Sequence, residues 1–190
     1  MARWQGQEGD SARFAEEAAD RIGGKDGDIL YFEIAVAIVC VCDDPEFAHF
    51  SWPGLQQGFA ALEQQYGQSL ISVNWFALMA YKFNDSVVGD AAFKRIGDNW
   101  GKEAWRTEAW FKQNKTWAAQ FAPMEARSRA IKQEARANLQ TAEGSSYKKD
   151  FDLTFAALER LCVQKKRATI WVNSNFWLRS EKMESFRMPG

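Results

Sequence analysis

The sequence predicts an all-α protein in which antiparallel helical hairpins stack as a bundle. Three observations support this prediction. Apolar residues recur at spacings of three and four along most of the chain, which is the pattern of amphipathic helices. Helix-capping residues and glycines divide the chain into segments of helical length. A polar turn at Asn84-Asp85 also joins two such segments within Leu70–Trp100, and this hairpin is the centre of the predicted fold.

The chain is predicted to form one all-helical domain, residues 1–190, with a repeat-like core at about 28–121 and a basic helical segment at about 124–190. A hydrophobic fraction of 46% and a charged fraction of 26% are typical of soluble globular proteins. The unusual feature is nine tryptophans and 14 phenylalanines. Large aromatic rings are common both in protein cores and in binding interfaces, so this excess alone does not indicate which of the two roles the rings have.

The two halves of the chain differ in charge. Residues 1–123 hold 11 basic and 17 acidic side chains, a net charge of −6, whereas residues 124–190 hold 13 and 8, a net charge of +5. The basic part could meet an acidic partner, a phosphate backbone or the acidic front of the same fold. Because no nucleic-acid module is visible, we expect no nucleic-acid partner and favour an intramolecular or homo-oligomeric explanation.

Three sequence features that bear on the cellular compartment indicate the cytoplasm. The N-terminus lacks the apolar core of a signal peptide. The most apolar run, Ile29–Cys42, is shorter than the ~20 residues of a membrane span and contains Glu33. The three cysteines, Cys40, Cys42 and Cys162, suit a reducing environment. We therefore expect a cytoplasmic protein without a membrane partner.

The first helix is predicted to span Ala12–Ile22, with Asp10 or Ser11 as its N-cap and Gly23-Gly24 after its last turn. Its apolar stripe is predicted to contain Phe14, Ala15, Ala18 and Ile22.

The apolar run Ile29–Cys42 follows a predicted cap at Gly27-Asp28. Its β-branched residues would also suit a buried strand, but the run is long for a strand and no partner strand is apparent, so we predict a helix. The acidic stretch 43–45, which ends in proline, is predicted to end this helix, and Phe47–Phe50 is predicted to form a turn rich in rings.

A third helix is predicted to start at Ser51-Trp52-Pro53, where the serine caps and the proline occupies the first turn, and to stop at Gly67. Its amphipathic face is formed by Leu55, Phe59, Leu62 and Tyr66.

Both helices of the Leu70–Trp100 hairpin carry apolar stripes, formed by Val73, Phe76, Ala77, Ala80, Gly89, Phe93 and Ile96. The spacing of these residues resembles the tetratricopeptide repeat (TPR), in which bulky and small positions let paired helices pack closely. The match covers about 30 residues, and Ala80 and Gly89 replace the usual tyrosine and alanine of the repeat. The resemblance implies that the hairpins stack as a TPR-like bundle.

A second set of residues in the same region is Asn74, Ala77, Ala80, Ile96, Gly97 and Trp105. This set resembles the helical C-terminal part of certain uncharacterised bacterial proteins, which have an Asn-x-x-Ala-x-x-Ala hairpin followed by Ile-Gly and a tryptophan. The resemblance implies a helical-repeat fold in a bacterial protein, and it brings no known activity.

Beyond the hairpin, one helix is predicted over Lys102–Phe121, and Pro123 is predicted to open a second over Met124–Ala142. Residues 144–146 are the best linker candidate. Two further helices are predicted near residues 151–162 and 168–178, followed by a frayed end.

In TPR proteins as a class, the inner face of each first helix binds an extended peptide, so the resemblance implies such a face here. The polar residues flanking it are Asn74, Tyr81 and Lys82, with Lys94 and Arg95 on the second helix. An asparagine could hold a peptide backbone and the bases a carboxylate. An ordinary solvated helix face is the alternative interpretation.

Two tryptophans complete the predicted partner-binding set. Trp75 lies beside the apolar stripe of its helix and Trp105 is displaced from the stripe that follows, so these are the two best candidates for partly exposed rings. Core packing is the favoured interpretation for each ring, because tryptophan is well buried on average.

Evidence for chemistry is sparse. Cys40-x-Cys42 lacks the further ligands of a zinc site, and we expect these cysteines to pack in the core. His49, the only histidine, could act as a single general base beside nearby acids. We therefore predict no catalytic residue, no metal and no cofactor. The alternative is a small cytoplasmic enzyme whose site is assembled from His49, Asp43, Asp44, Tyr81 and Asn74.

The favoured hypothesis is a protein–protein interaction module of the helical-repeat type that binds another protein or peptide. Homo-oligomerisation through the hairpin remains a second possibility. An accessory or immunity-like bacterial protein is the specific form that suits a small cytoplasmic chain with an acidic front half.

Overall fold

The computed structural model describes residues 7–41 and 47–141, and all regular elements in this part of the chain are helices. The all-α prediction is thereby confirmed, while the TPR-like stacking of hairpins stays a prediction. The helices are α1 (Asp10–Ile22), α2 (Gly24–Val41), α3 (Trp52–Tyr66), α4 (Leu70–Lys82), α5 (Ser86–Ile96), α6 (Lys102–Trp105) and α7 (Glu108–Thr141).

By its internal contacts the chain divides into two units, residues 1–131 and residues 132–190. The boundary between these units falls inside α7. The single domain with a subdivision near residues 121–124 stays a prediction. Several predicted features lie outside the described residues, namely the helix end at 43–45, the linker at 144–146, the helices beyond it, Cys42 and Cys162.

Helix α1 buries a different side from the one that the sequence predicted. Ala15 is fully buried, but Phe14 and Ile22 are 53% and 57% exposed, so the predicted stripe is wrong at both large residues. The physical reason is a close crossing with α2, because a Cβ atom at Gly27 would overlap the carbonyl of Ala19. Only small side chains fit between helices that approach so closely.

The two ends of α1 are set by glycines. Gly9, with φ of 88°, occupies the N-cap position instead of Asp10 or Ser11, and the Asp10 carboxylate accepts from the backbone of the preceding turn. At the other end Gly23 closes the helix, as predicted. Gly24 already starts α2 and so belongs to the next helix.

The apolar run that begins at Ile29 is helical, as predicted, and α2 spans Gly24–Val41. The predicted cap at Gly27-Asp28 is wrong, since both residues lie inside the helix. Because Gly27 has no side chain, the backbone of α1 can approach α2 closely at this residue. In the same way Gly58 of α3 lets the backbone of Asp28 approach closely. These two glycines let α1, α2 and α3 pack in succession.

Helix α3 starts and stops where the sequence predicted. The Ser51 hydroxyl accepts a hydrogen bond from the N–H of Gly54 at 3.3 Å, and Gly67, with φ of 80°, ends the helix. Leu55 and Phe59 are buried, but Tyr66 at the end of the predicted stripe is 71% exposed.

The central hairpin is confirmed. Helices α4 and α5 pack against each other across a short turn in which Asn84 has φ of 57°. The Asp85 carboxylate caps α5 by accepting from the N–H of Val88 at 3.0 Å, and Gly97 ends α5. Residues 73–80 of α4 are all buried, so this helix is enclosed on every side along its middle.

Aromatic rings pack against the hairpin in two clusters. Phe76 and Phe83 belong to the first cluster, where Phe76 stacks on Phe59 with ring centroids 3.9 Å apart. The other rings of this cluster are Tyr31, Phe32, Phe47, Phe50 and Trp52. The second cluster contains Tyr81, Phe93, Trp105, Trp110, Phe111 and Trp117. Much of the aromatic excess is therefore used for packing.

The last two helices differ from the prediction. The segment predicted as one helix, Lys102–Phe121, breaks at Arg106, where φ is 60°. The second segment begins at Glu108 and runs through Pro123, which therefore lies inside α7 and does not open a helix. A proline removes one helical hydrogen bond. Contacts of the following turns with the hairpin offset this loss, including the ion pair between Arg129 and Asp85 at 2.8 Å.

Tyr31 makes the fold sensitive to high pH. Its buried hydroxyl accepts a hydrogen bond from the N–H of Ser51 at 2.8 Å, at the start of α3. Burial raises the pKa of Tyr31, the Ser51 hydrogen bond partly opposes this effect, and the charge of Glu16 adds to the rise. Since the folded-state pKa exceeds the unfolded one, the neutral phenol contributes stability that is complete below about pH 10 and is lost as the pH rises through the folded-state value.

We expect Tyr31→Phe to lower the free energy of unfolding by about 1 kcal/mol at pH 7, through loss of the Ser51 hydrogen bond. Above about pH 10 the variant should lose stability less steeply than the parent protein, as measured by urea unfolding across a pH series. Tyr66→Phe, at an exposed position, is the control and should follow the parent. Identical pH slopes for Tyr31→Phe and the parent would contradict this account.

Candidate binding groove

A groove of about 110 Å³ lies at the N-terminal end of α4, between this helix and the chain that connects α5 to α6. We call it the α4 groove. It is lined by Leu70, Ile71, Asn74, Trp75, Asn99, Gly101, Glu103 and Ala104.

Asn74 fixes one wall of the α4 groove. Its Oδ1 atom accepts from the N–H of Gly101 and from Nε1 of Trp105, both at 2.9 Å. Its Nδ2 atom donates to the carbonyls of Leu70 and Asn99 at 2.8 and 3.3 Å. A side-chain amide has two donors and two acceptor sites, so Asn74 is saturated within the chain. It positions the connecting loop, and it has no hydrogen-bonding capacity left for a bound peptide.

The rim of the groove is apolar and exposed. Leu70 and Ile71 form the first turn of α4 and are 49% and 70% exposed, while burial begins at Val73. Tyr66, four residues before Leu70, is exposed as well. Consecutive exposed aliphatic residues beside a concave surface are a common feature of binding sites.

The groove contains one ionisable side chain, that of Glu103. Within the described residues its carboxylate has no hydrogen bond or ion pair. The α4 groove therefore combines an aliphatic rim with a single unpaired negative charge.

The two tryptophans of the predicted set are buried. Trp75 is 8% exposed and lines the groove, while Trp105 is fully buried behind it and donates to Asn74. Both rings are therefore core residues, as the favoured interpretation of the sequence has it, and neither is the partly exposed ring of the partner-binding hypothesis. Trp105 is enclosed because its ring also packs against Phe93 and Phe111.

Tyr81 and Lys82 lie at the opposite end of α4 from the groove. The ring of Tyr81 meets the rings of Trp110 and Trp117 edge-on, with centroids 6.5 and 5.3 Å away. The ammonium group of Lys82 lies 6.0 Å from the centroid of the Phe47 ring. Both residues contribute to packing at the turn end of the hairpin.

Lys94 and Arg95 pair with acids of this chain. Lys94 forms an ion pair with Asp90 at 2.6 Å, one turn earlier in α5. Arg95 pairs with Glu63 of α3 and lies 5.6 Å from the centroid of the Phe59 ring. The structure thus brings Asn74, Trp75 and Trp105 together at one site, but it does not gather all seven predicted residues on one surface. That these residues bind a partner stays a prediction.

Of the residues of the alternative enzyme hypothesis, three lie in the described part of the chain, and no contact joins any two of them. His49 is hydrogen-bonded to the exposed Glu8 at 3.2 Å. Asn74 and Tyr81 are seven residues apart on α4, which separates them by about 10 Å along the helix axis. Asp43 and Asp44 lie outside the described residues. In residues 7–41 and 47–141 no group of three or more His, Cys, Asp or Glu side chains could hold a metal ion.

A second, shallow depression runs along α7 and has two lysines in its lining. Lys112 pairs with Glu108 at 2.7 Å, and Lys115 donates to the carbonyl of Gly97 at 2.7 Å. Both cations are therefore engaged within the chain, and this surface offers less for recognition than the α4 groove.

No protein-family model, curated protein or solved structure matches the chain. Among the described residues, no helix combines the length and the apolar character needed to cross a membrane. The geometry of the α4 groove is therefore the main guide to function.

Sequence reasoning missed the rim of the groove, including Leu70, Ile71 and Glu103. One signal was present: α4 is apolar from its first residues, Leu70 and Ile71, whereas the first turn of a helix has fewer neighbours to cover it than the middle turns have. Glu103 lies in α6, and its position in the groove depends on how the connection from α5 places this helix, which no spacing in the sequence indicates.

We expect Asn74→Ala to lower the free energy of unfolding by about 3 kcal/mol, because the N–H of Gly101 and Nε1 of Trp105 lose their acceptor in a buried site. Asn99→Ala is the matched control: its backbone carbonyl still accepts from Asn74, so the cost should stay below about 0.5 kcal/mol. Urea unfolding measures both values, and hydrogen exchange of the Trp105 indole reports the site directly. Equal costs for the two variants would contradict the assigned role of Asn74.

Proposed function

We propose that this protein is a protein–protein interaction module of the helical-repeat type, which binds another protein or peptide through the α4 groove and its aliphatic rim. The observation that carries the proposal is the exposed pair Leu70 and Ile71 beside the groove. Burying one such side chain fully stabilises a complex by about 1.5–3 kcal/mol. Leu70 and Ile71 together therefore provide a favourable hydrophobic contribution to a complex.

The geometry of the groove supports this proposal in a second way. Leu70 and Ile71 stand on a formed helix, and the facing loop is held by the saturated amide of Asn74. A partner would therefore meet a preorganised surface, and little ordering entropy would oppose binding. An accessory or immunity-like role in a bacterial cytoplasm is the specific form that we propose for this module.

The test is a pull-down of the tagged protein from a lysate of its source organism. Ile71→Asp places a charge in the apolar rim and should reduce capture of a stoichiometric partner at least 10-fold, since a buried unpaired carboxylate costs more than about 1.4 kcal/mol. Ile131→Asp is the matched control, because Ile131 is also exposed, at 53%, but lies on α7. This control should retain the partner.

Both variants should keep the unfolding midpoint of the parent, which shows that any loss reflects binding. Capture that is unchanged by Ile71→Asp, or lost equally in both variants, would contradict the proposal. Light scattering on the pure protein distinguishes a foreign partner from self-association.

A further inference from the structure

We propose that the α4 groove accepts one aliphatic side chain of a peptide segment in which the neighbouring residue is lysine or arginine. This inference about the chemistry of the partner rests on the proposed function. The proposal joins two observations. One is the size and apolar lining of the groove, and the other is the unpaired carboxylate of Glu103 in that lining.

The size of the groove determines which side chain of the partner it can accept; we call this partner side chain the anchor. A cavity of about 150 Å³ binds benzene, and the α4 groove, at about 110 Å³, is smaller. We therefore expect the groove to enclose one branched aliphatic side chain more completely than the larger ring of phenylalanine.

The lining of the groove selects an apolar anchor over a polar one. Leu70, Ile71, Trp75 and Ala104 present carbon to the groove, and the amide of Asn74 is already saturated. A polar side chain placed there would give up its hydrogen bonds to water without replacing them, which is unfavourable.

The charge of the groove selects the residue next to the anchor. A partner that covers the groove removes water from the Glu103 carboxylate, which has no ion pair within the described residues. A cation on the partner offsets this loss, whereas a neutral or acidic neighbour leaves the carboxylate desolvated and unpaired.

The test uses capped hexapeptides as NMR probes, each with two central residues between pairs of glycines: leucine-arginine, leucine-glutamine, leucine-glutamate, phenylalanine-arginine and serine-arginine. The methyl groups of Leu70 and Ile71 and the indole of Trp75 report occupancy at up to about 1 mM peptide, the range of weak complexes. We expect saturable shifts with leucine-arginine, and affinities about 3- to 10-fold lower for the other four probes.

Glu103→Gln is the matched variant, and in this protein leucine-arginine and leucine-glutamine should bind equally. Equal binding of leucine-arginine and leucine-glutamate to the parent would overturn the inference, as would a charge preference that persists in Glu103→Gln. The inference would also be overturned if none of the five probes saturated the reporter groups. A second copy seated in the groove, seen as self-association that Ile71→Asp abolishes, would assign the site to a dimer and overturn it as well.

These outcomes are separate from failure of the proposed function. That function fails when the Ile71→Asp variant captures partners as the parent does. The inference on partner chemistry fails on the probe series alone, even where Ile71-dependent capture is observed.

Discussion

The carboxylate of Asp85 connects more elements of this fold than any other side chain described above. It is 4% exposed and accepts from Nε1 of Trp52 at 2.9 Å, from the N–H of Val88 at 3.0 Å and from Arg129 at 2.8 Å. One residue in the hairpin turn thereby joins the start of α3, the start of α5 and the second half of α7. Burial alone would lower the pKa of Arg129, but its bonds to Asp85 and Glu125 raise it overall, so the cation stays charged and paired.

With the turn end of the hairpin held in this way, the opposite end of α4 carries the groove that we propose for recognition. The two aromatic clusters enclose the middle of α4, and the saturated amide of Asn74 holds the loop that faces its first turn. Leu70 and Ile71 are left exposed on a rigid support. A stable core and a preorganised apolar rim are compatible because they occupy different turns of the same helix.

The sequence predicted the features that depend on local chemistry. The cap at Ser51, the polar turn at Asn84-Asp85 and the stop at Gly67 follow from side-chain hydrogen bonds and glycine conformation, which act within a few residues. It failed where tertiary contacts decide the outcome. Pro123 remains inside a helix because of contacts with the hairpin, and Phe14 is exposed because a close crossing of helices admits only small side chains. The groove lay beyond prediction for the same reason, since its walls are distant in sequence.

The measurement that tests the central role of the Asp85 carboxylate most directly is the free energy of unfolding of Asp85→Ala beside that of Asp90→Ala. Asp90 is the natural control, because its ion pair with the exposed Lys94 lies within α5 alone. We predict a loss of about 3 kcal/mol for Asp85→Ala, because Trp52 and the N–H of Val88 lose their acceptor and Arg129 keeps only Glu125. For Asp90→Ala we predict a loss of less than about 1 kcal/mol. Equal losses for the two variants would show that the hairpin does not depend on this carboxylate and would contradict the account.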